Sequence, residues 1–186
     1  MRKRVERSAF VVRAGDSTDS LYILLTGRAK VTNHDEEGKE IILAWLGPGE
    51  FFGEMGLIDG SPRSANVVAA EPCELLVLSK EAFQRCLQDN FQVAQKLMQI
   101  LVRRLREADR NIESLALLDV YGRVARLLLE LSEDDEGRRV VKKKISKQDM
   151  ARMIGASREM VSKVMRDLEL SGYILCENNQ VIILGA

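Results

Sequence analysis

The 186-residue sequence has no long apolar run, and none approaches the ~18 residues needed to cross a bilayer. Its start, Met1-Arg-Lys-Arg-Val-Glu-Arg7, lacks the apolar core of a secretion signal. A cytoplasmic protein with no membrane partner is therefore expected. Cysteine is scarce. Cys73, Cys86 and Cys176 are odd in number and far apart, which argues against a disulfide framework and suits a reducing compartment. Clustered ligands are missing, so no metal and no iron–sulfur cluster is expected. The single histidine, His34, falls in the hairpin-like stretch Asn33-His-Asp-Glu-Glu-Gly38, which gives haem ligation no support. One histidine and no nucleophile–base pair leave an enzyme, such as a nucleotide hydrolase, with nothing to build on. An excess of one sign of charge is missing too, since 28 basic residues balance 28 acidic ones. With 46% hydrophobic and 30% charged residues the chain reads as globular, either one large domain or two small ones.

Charge is nevertheless unevenly placed. Between Arg138 and Arg166 lie ten basic residues (Arg138, Arg139, Lys142, Lys143, Lys144, Lys147, Arg152, Arg158, Lys163, Arg166) and two acidic ones, Asp149 and Glu159. Such an excess can follow a phosphate backbone even on a neutral protein. It can equally be a solvated face that balances the acidic run Glu133-Asp-Asp-Glu136. Charge alone does not choose between them.

From Phe10 to about Ser79 the pattern is strand-like. Phe10-Val-Val, Leu21-Tyr-Ile-Leu-Leu, Ala29-Lys-Val-Thr, Glu40-Ile-Ile-Leu-Ala-Trp and Leu75-Leu-Val-Leu are separated by turn signals such as Ala14-Gly-Asp16, Gly47-Pro-Gly49 and Asp59-Gly-Ser-Pro62. Many short strands at regular spacing predict a barrel, sandwich or jelly roll. Ser79 is placed to cap a helix, and a longer helix follows over 91–117 with no Gly or Pro inside. Along it Leu101, Leu105, Ala108, Ile112 and Leu115 are spaced 4, 3, 4, 3, the heptad seam of a helix that pairs with a second copy. Simple core packing would give a broader stripe.

Asp119 is the expected cap of a helix over 120–131, and Ser132 to Gly137 reads as an acidic loop. Val140 and Val141 suggest a short strand. Two short helices, 147–154 and 157–170, break at Gly155-Ala-Ser157. Tyr173-Ile-Leu and Val181-Ile-Ile-Leu around Glu177-Asn-Asn-Gln180 then read as a β-hairpin. Helix, turn, helix, hairpin is the order of a winged helix-turn-helix. The expected fold is α+β: a β-barrel or jelly roll over 1–90, a long dimerisation helix over 91–117 and a winged helix-turn-helix over 118–186.

The most informative segment is Phe52-Gly-Glu-Met-Gly-Leu-Ile-Asp-Gly-Ser-Pro-Arg-Ser-Ala65. Gly53 lets the backbone approach a ligand and can aim its N–H at an anion. Glu54 can accept from a sugar hydroxyl. Arg63 offers a planar, always-charged fork for phosphate oxygens, and Ser64 adds a hydroxyl donor. The plain alternative is a structural ion pair between the acid and the arginine.

Gly-Glu-Met-Gly-Leu57 followed by Pro-Arg-Ser-Ala65 resembles the phosphate-binding cassette of cyclic-nucleotide-binding domains. With the later helices, the chain resembles over essentially its whole length the Crp/Fnr family of bacterial transcription factors. The resemblance implies that Gly53 and Ser64 hold a cyclic phosphate, Arg63 pairs with it, and Glu54 takes the ribose 2′-hydroxyl, with Met55 in the same cassette. It also implies that Arg104 on the long helix lies near the cassette. Ala108 and Asp109 stand where the cyclic-AMP receptor branch offers a Thr-Ser pair to adenine. Cyclic AMP is the effector the resemblance implies first. A carboxylate at 109 could accept both guanine donors, which makes cyclic GMP or cyclic di-GMP an alternative. Asp109 facing solvent or pairing with Arg106 or Arg110 is the bland reading. A regulator that answers to a protein partner instead of a ligand is the third.

The cassette loop is one residue shorter than in the receptor branch, and the family's usual N-terminal helix does not precede the first strand, which leaves truncation open. The cysteine cluster of the fumarate–nitrate branch has no counterpart.

The string Ser157-Arg-Glu-Met-Val-Ser-Lys163 resembles the family's recognition helix. Ser157 would cap it, and Arg158, Glu159, Ser162 and Lys163 would face the major groove of double-stranded DNA. Arg bonds guanine bidentately and Glu accepts from cytosine. Lys163 replaces a usual arginine, and lysine lacks the bidentate fork. Lys147 is the expected phosphate contact. A homodimer working with RNA polymerase is what the resemblance implies for partners. An ordinary exposed helix with incidental charges is the alternative.

Overall fold

The computed structural model describes residues 1–142, 145–177 and 180–184. Lys143 and Lys144 of the basic segment, and Asn178 and Asn179 of the expected hairpin turn, lie outside the described residues. Two compact units divide at Arg104/Leu105, inside one long helix.

In the first unit, short β-rich segments between turns build strands that share one core. They are β1 (Arg2–Val5), β2 (Phe10–Val12), β3 (Ser20–Thr26), β4 (Ala29–His34), β5 (Glu40–Leu46), β6 (Phe51–Phe52), β7 (Asn66–Ala69) and β8 (Cys73–Ser79), with the short helix α1 (Met55–Asp59) between β6 and β7. The expected barrel takes the form of a jelly roll of two antiparallel sheets, ordered β1-β8-β3-β6 and β2-β7-β4-β5. Tyr22, Leu24, Phe52 and Leu75 from one sheet meet Val12, Ala29, Leu46 and Val67 from the other in a single cluster. Leu24 and Leu75 have no exposed surface, and such side chains each contribute about 1.5–3 kcal/mol of burial.

β3 is buried on both faces. Its Leu21 turns outward to join Leu57 of α1 and Phe83 of α2 (Lys80–Asp89), which is capped by Ser79 accepting from Ala82 N–H. β1 lies ahead of Phe10, where the strand-like pattern of the sequence begins. Its run of charge hides it, and pairing with β8 rather than alternation makes it a strand.

The long helix α3 (Phe91–Leu117) and α4 (Val120–Leu131) match their expected spans, with Asp119 accepting from Gly122 N–H at 2.8 Å. In the second unit α4, α5 (Lys147–Ile154) and α6 (Arg158–Leu170) enclose Val124, Leu128, Met150, Ile154, Val161 and Leu168. β11 (Ile174–Glu177) and β12 (Gln180–Ile183) form the wing, in a sheet ordered β11-β12-β10-β9.

β9 (Glu133–Asp135) corrects the expected acidic loop. It pairs with β10 (Arg138–Val141) through a two-residue turn in which Glu136 (φ 53°) and Gly137 (φ 80°) are both left-handed. That turn follows the strands' own twist. Glu at the first left-handed position, where Asn or Asp is usual, hid the signal. The register sets Arg138 opposite Asp135 and Arg139 opposite Asp134. Lys142 Nζ lies 2.6 Å from Asp135 Oδ1, a bond that holds the ammonium above its ordinary range. For these basic residues the balancing-face reading of the charge excess applies.

Candidate functional site

The cassette follows β6 directly. Gly53 is left-handed (φ 84°), and a Cβ there would collide with Arg63 Nη1. Only glycine lets the arginine cross the backbone this closely. Arg63 Nη1 donates to Gly53 O at 2.8 Å, and Nη2 donates to Ser20 O at 2.7 Å. Its guanidinium also stacks over Tyr22, itself stacked on Phe52.

Glu54 and Arg63 are both buried, yet they do not pair with each other. Glu54 Oε1 accepts from Arg104 Nη1 at 2.8 Å, and Arg104 also donates to Phe51 O while lying over the Phe51 ring. The expected nearness of Arg104 to the cassette is thus observed, and the structural ion pair read as the plain alternative is not. Arg63 is left with carbonyl partners. The one carboxylate within ion-pair distance among the described residues is Asp19, 3.8 Å away. The Asp19 side chain is 83% exposed while that of Arg63 is 4% exposed, so solvent screens the contact.

Ser64 is exposed beside the fork, and its hydroxyl contacts Met55 Sδ at 3.7 Å. Met55, the first residue of α1, is itself exposed. Ala108 and Asp109 belong to the second unit, where both are exposed on α3. Sequence reasoning missed the carbonyl of Ser20 and the segment before it. Gly15-Asp16 looked like a mere strand separator, and a backbone partner 43 residues away leaves no trace in composition.

In the second unit Ser146 accepts from Asp149 N–H and caps α5, and Ser157 accepts from Met160 N–H and caps α6. Gly155 ends α5 in the left-handed region (φ 63°) and makes the turn between them. Val161, Val164, Met165 and Leu168 bury one face of α6. Arg158, Glu159 and Lys163 are exposed and Ser162 is half-buried; Lys147 is exposed at the first position of α5. The arrangement is a helix-turn-helix followed by a wing.

A jelly roll with a phosphate-type cassette, followed by a winged helix-turn-helix, defines a ligand-responsive DNA-binding regulator. Two family models match the chain: the cyclic nucleotide-binding domain over residues 2–90 and the Crp-like helix-turn-helix domain over residues 122–185. The cAMP-activated global transcriptional regulator CRP of Haemophilus influenzae is 36% identical over 183 residues, covering 95% of this chain and 80% of that protein. The cAMP-activated regulator Vfr of Pseudomonas aeruginosa is 34% identical, covering 99% and 89%. The solved structure of the c-di-GMP responsive global regulator CLP of Xanthomonas campestris superposes with a TM-score of 0.83 at 30% identity, covering 100% of this chain and 94% of that one.

The chain belongs to the Crp/Fnr family of transcription factors. It is a DNA-binding transcription regulator under cyclic-nucleotide control, not an enzyme. Among the described residues no helix is long and apolar enough to cross a membrane.

Proposed function

We propose that cyclic AMP is the effector and that Arg63 is its phosphate anchor. The observation that carries this reading is a buried guanidinium whose nearest carboxylate is exposed and 3.8 Å away. A buried cation is costly without a countercharge, and an arriving phosphate supplies one. Gly53 and Ser64 hold the phosphate with it, and Glu54, aimed by Arg104, takes the ribose 2′-hydroxyl beside Met55. The H. influenzae and P. aeruginosa relatives are cAMP-activated, which supports adenine as the base.

A guanine nucleotide is the second reading. It is favoured by Asp109, an acceptor-only group next to Ala108 on α3, and by the c-di-GMP responsive relative. Calorimetric titration of the wild type and of Asp109→Ser with cyclic AMP, cyclic GMP and cyclic di-GMP tests both. If Asp109 reads the base, the substitution shifts the ratio of the cyclic AMP and cyclic GMP affinities toward cyclic AMP. An unmoved ratio removes Asp109 from the site.

The division of labour we infer is an effector domain over 1–90, a dimerisation helix over 91–117 and a DNA-binding domain over 118–186. The protein acts in the cytoplasm as a homodimer that delivers its response to RNA polymerase. Effector binding shifts the population toward the arrangement of the two recognition helices that fits DNA. Ser157, Arg158, Glu159, Ser162 and Lys163 present the DNA-reading surface, and Lys147 contacts phosphate.

Arg158→Ala is expected to cost about 1–3 kcal/mol on the specific site and to relax one base position, the signature of a lost bidentate contact. Lys147→Ala weakens all sequences alike. A binding-selection experiment separates the two, and unchanged site selection by Arg158→Ala would contradict the groove assignment.

A further inference from the structure

We propose that the segment between β2 and β3, residues 13–19, is the second wall of the phosphate site, with Thr18 a positioning residue for Arg63. The inference rests on the reading of Arg63 as the phosphate anchor. Both main-chain groups of Arg63 bond this segment rather than the cassette. Its N–H donates to Asp16 O at 2.9 Å, and its carbonyl accepts from Gly15 N–H at 2.8 Å. Its side chain donates at 2.7 Å to the carbonyl of Ser20, the first residue of β3 directly after this segment. Asn66, just past the cassette, accepts from Ala14 N–H at 3.0 Å. The segment thus fixes the main chain that carries the fork, while Gly53 and Ser20 hold its two prongs.

Thr18 completes this wall with a side-chain bond. Its Oγ1 donates to Ser61 O at 3.1 Å, at the head of Ser61-Pro62-Arg63. Packing makes the contact tight from a third side, because a Cβ on Gly56 of α1 would meet both Ser61 O and Thr18 Oγ1. Thr18 thus clamps α1, the Ser61 carbonyl and the approach to Arg63 in one arrangement. Without the hydroxyl, residues 61–63 gain freedom that an incoming phosphate must remove, and affinity falls by that ordering cost.

The test compares Thr18→Val, which keeps the shape, with Thr18→Ser, which keeps the hydroxyl. Loss of one hydrogen bond's net contribution corresponds to about a three- to tenfold weaker affinity for Thr18→Val. The factor is the same for cyclic AMP and cyclic GMP, because the clamp acts on the phosphate and not the base. Thr18→Ser returns to within about twofold of the wild type by the same reasoning. Amide hydrogen exchange at Gly15 and Arg63, followed in the protein without nucleotide, speeds up in Thr18→Val and not in Thr18→Ser.

Wild-type affinity in Thr18→Val, or a Thr18→Ser as weak as Thr18→Val, overturns the proposal. So does a loss confined to one nucleotide. If the wild type binds neither nucleotide, the effector assignment fails on its own. The exchange rates at Gly15 and Arg63 then decide the clamp, and unchanged rates overturn it.

Discussion

Arg63→Leu is expected to abolish cyclic-nucleotide binding and, in the same protein, to lower the unfolding temperature. The first effect follows from charge. Each charge-assisted bond to phosphate contributes about 1.5–3 kcal/mol, so losing a two-pronged contact weakens binding by roughly two to four decades. The second follows from the carbonyls of Gly53 and Ser20, which accept from Arg63. Leucine leaves both without their donor, at about 1–3 kcal/mol each where water does not reach them, partly offset by its own apolar burial.

Arg63→Lys separates the effects. It retains the charge and can reach one acceptor, so it recovers some binding but not the wild-type affinity. Calorimetry reads the affinity, and thermal unfolding followed by circular dichroism reads the stability. Nucleotide binding by Arg63→Leu within a few fold of the wild type would remove Arg63 from the ligand site.

The combined substitution Leu105→Glu and Ile112→Glu is expected to convert a dimer into monomers and to reduce specific DNA binding by about two decades or more. In the single chain Leu105 is 62% exposed, Ile112 65% and Leu115 55%, an apolar seam with heptad spacing. Four carboxylates across a symmetric helix pair oppose one another in a low-dielectric seam. A monomer reads one half-site and loses the gain from tethering the second reader. Sedimentation velocity gives the oligomeric state directly. The substitutions lie outside the described core clusters, so the circular dichroism of the folded chain stays near that of the wild type even as the dimer is lost. A dimer that survives them would place the main interface elsewhere.

Local signals account for most of what was legible in the chain. Ser79, Asp119 and Ser157 each have a side-chain oxygen that accepts a helix N–H, and an absence of Gly and Pro carries α3 from Phe91 to Leu117. Short β-rich apolar segments bounded by turn residues exposed β2 to β5 and β8. β1 and β9 escaped because their charged residues carry no such pattern, and their partners are supplied by β8 and β10. α1 escaped because five residues are too few for a helical period.

At the site, residue types were legible and partnerships were not. Gly53, Glu54, Arg63 and Ser64 stood out because a glycine, an acid, an arginine and a hydroxyl at that spacing suit a sugar phosphate. Legible in the chain alone were the caps and spans of the longer helices, the main apolar strands and the chemistry on offer in the cassette, all consequences of interactions within a few residues. Folding sends Glu54 to Arg104, 50 residues on, and Arg63 to backbone carbonyls. Folding also sets the acidic run across a hairpin, where Asp135 meets Lys142, instead of in a loop. The reason is physical: a buried charge takes whichever partner the packed backbone brings within about 3 Å, and that choice exists only once distant strands have met.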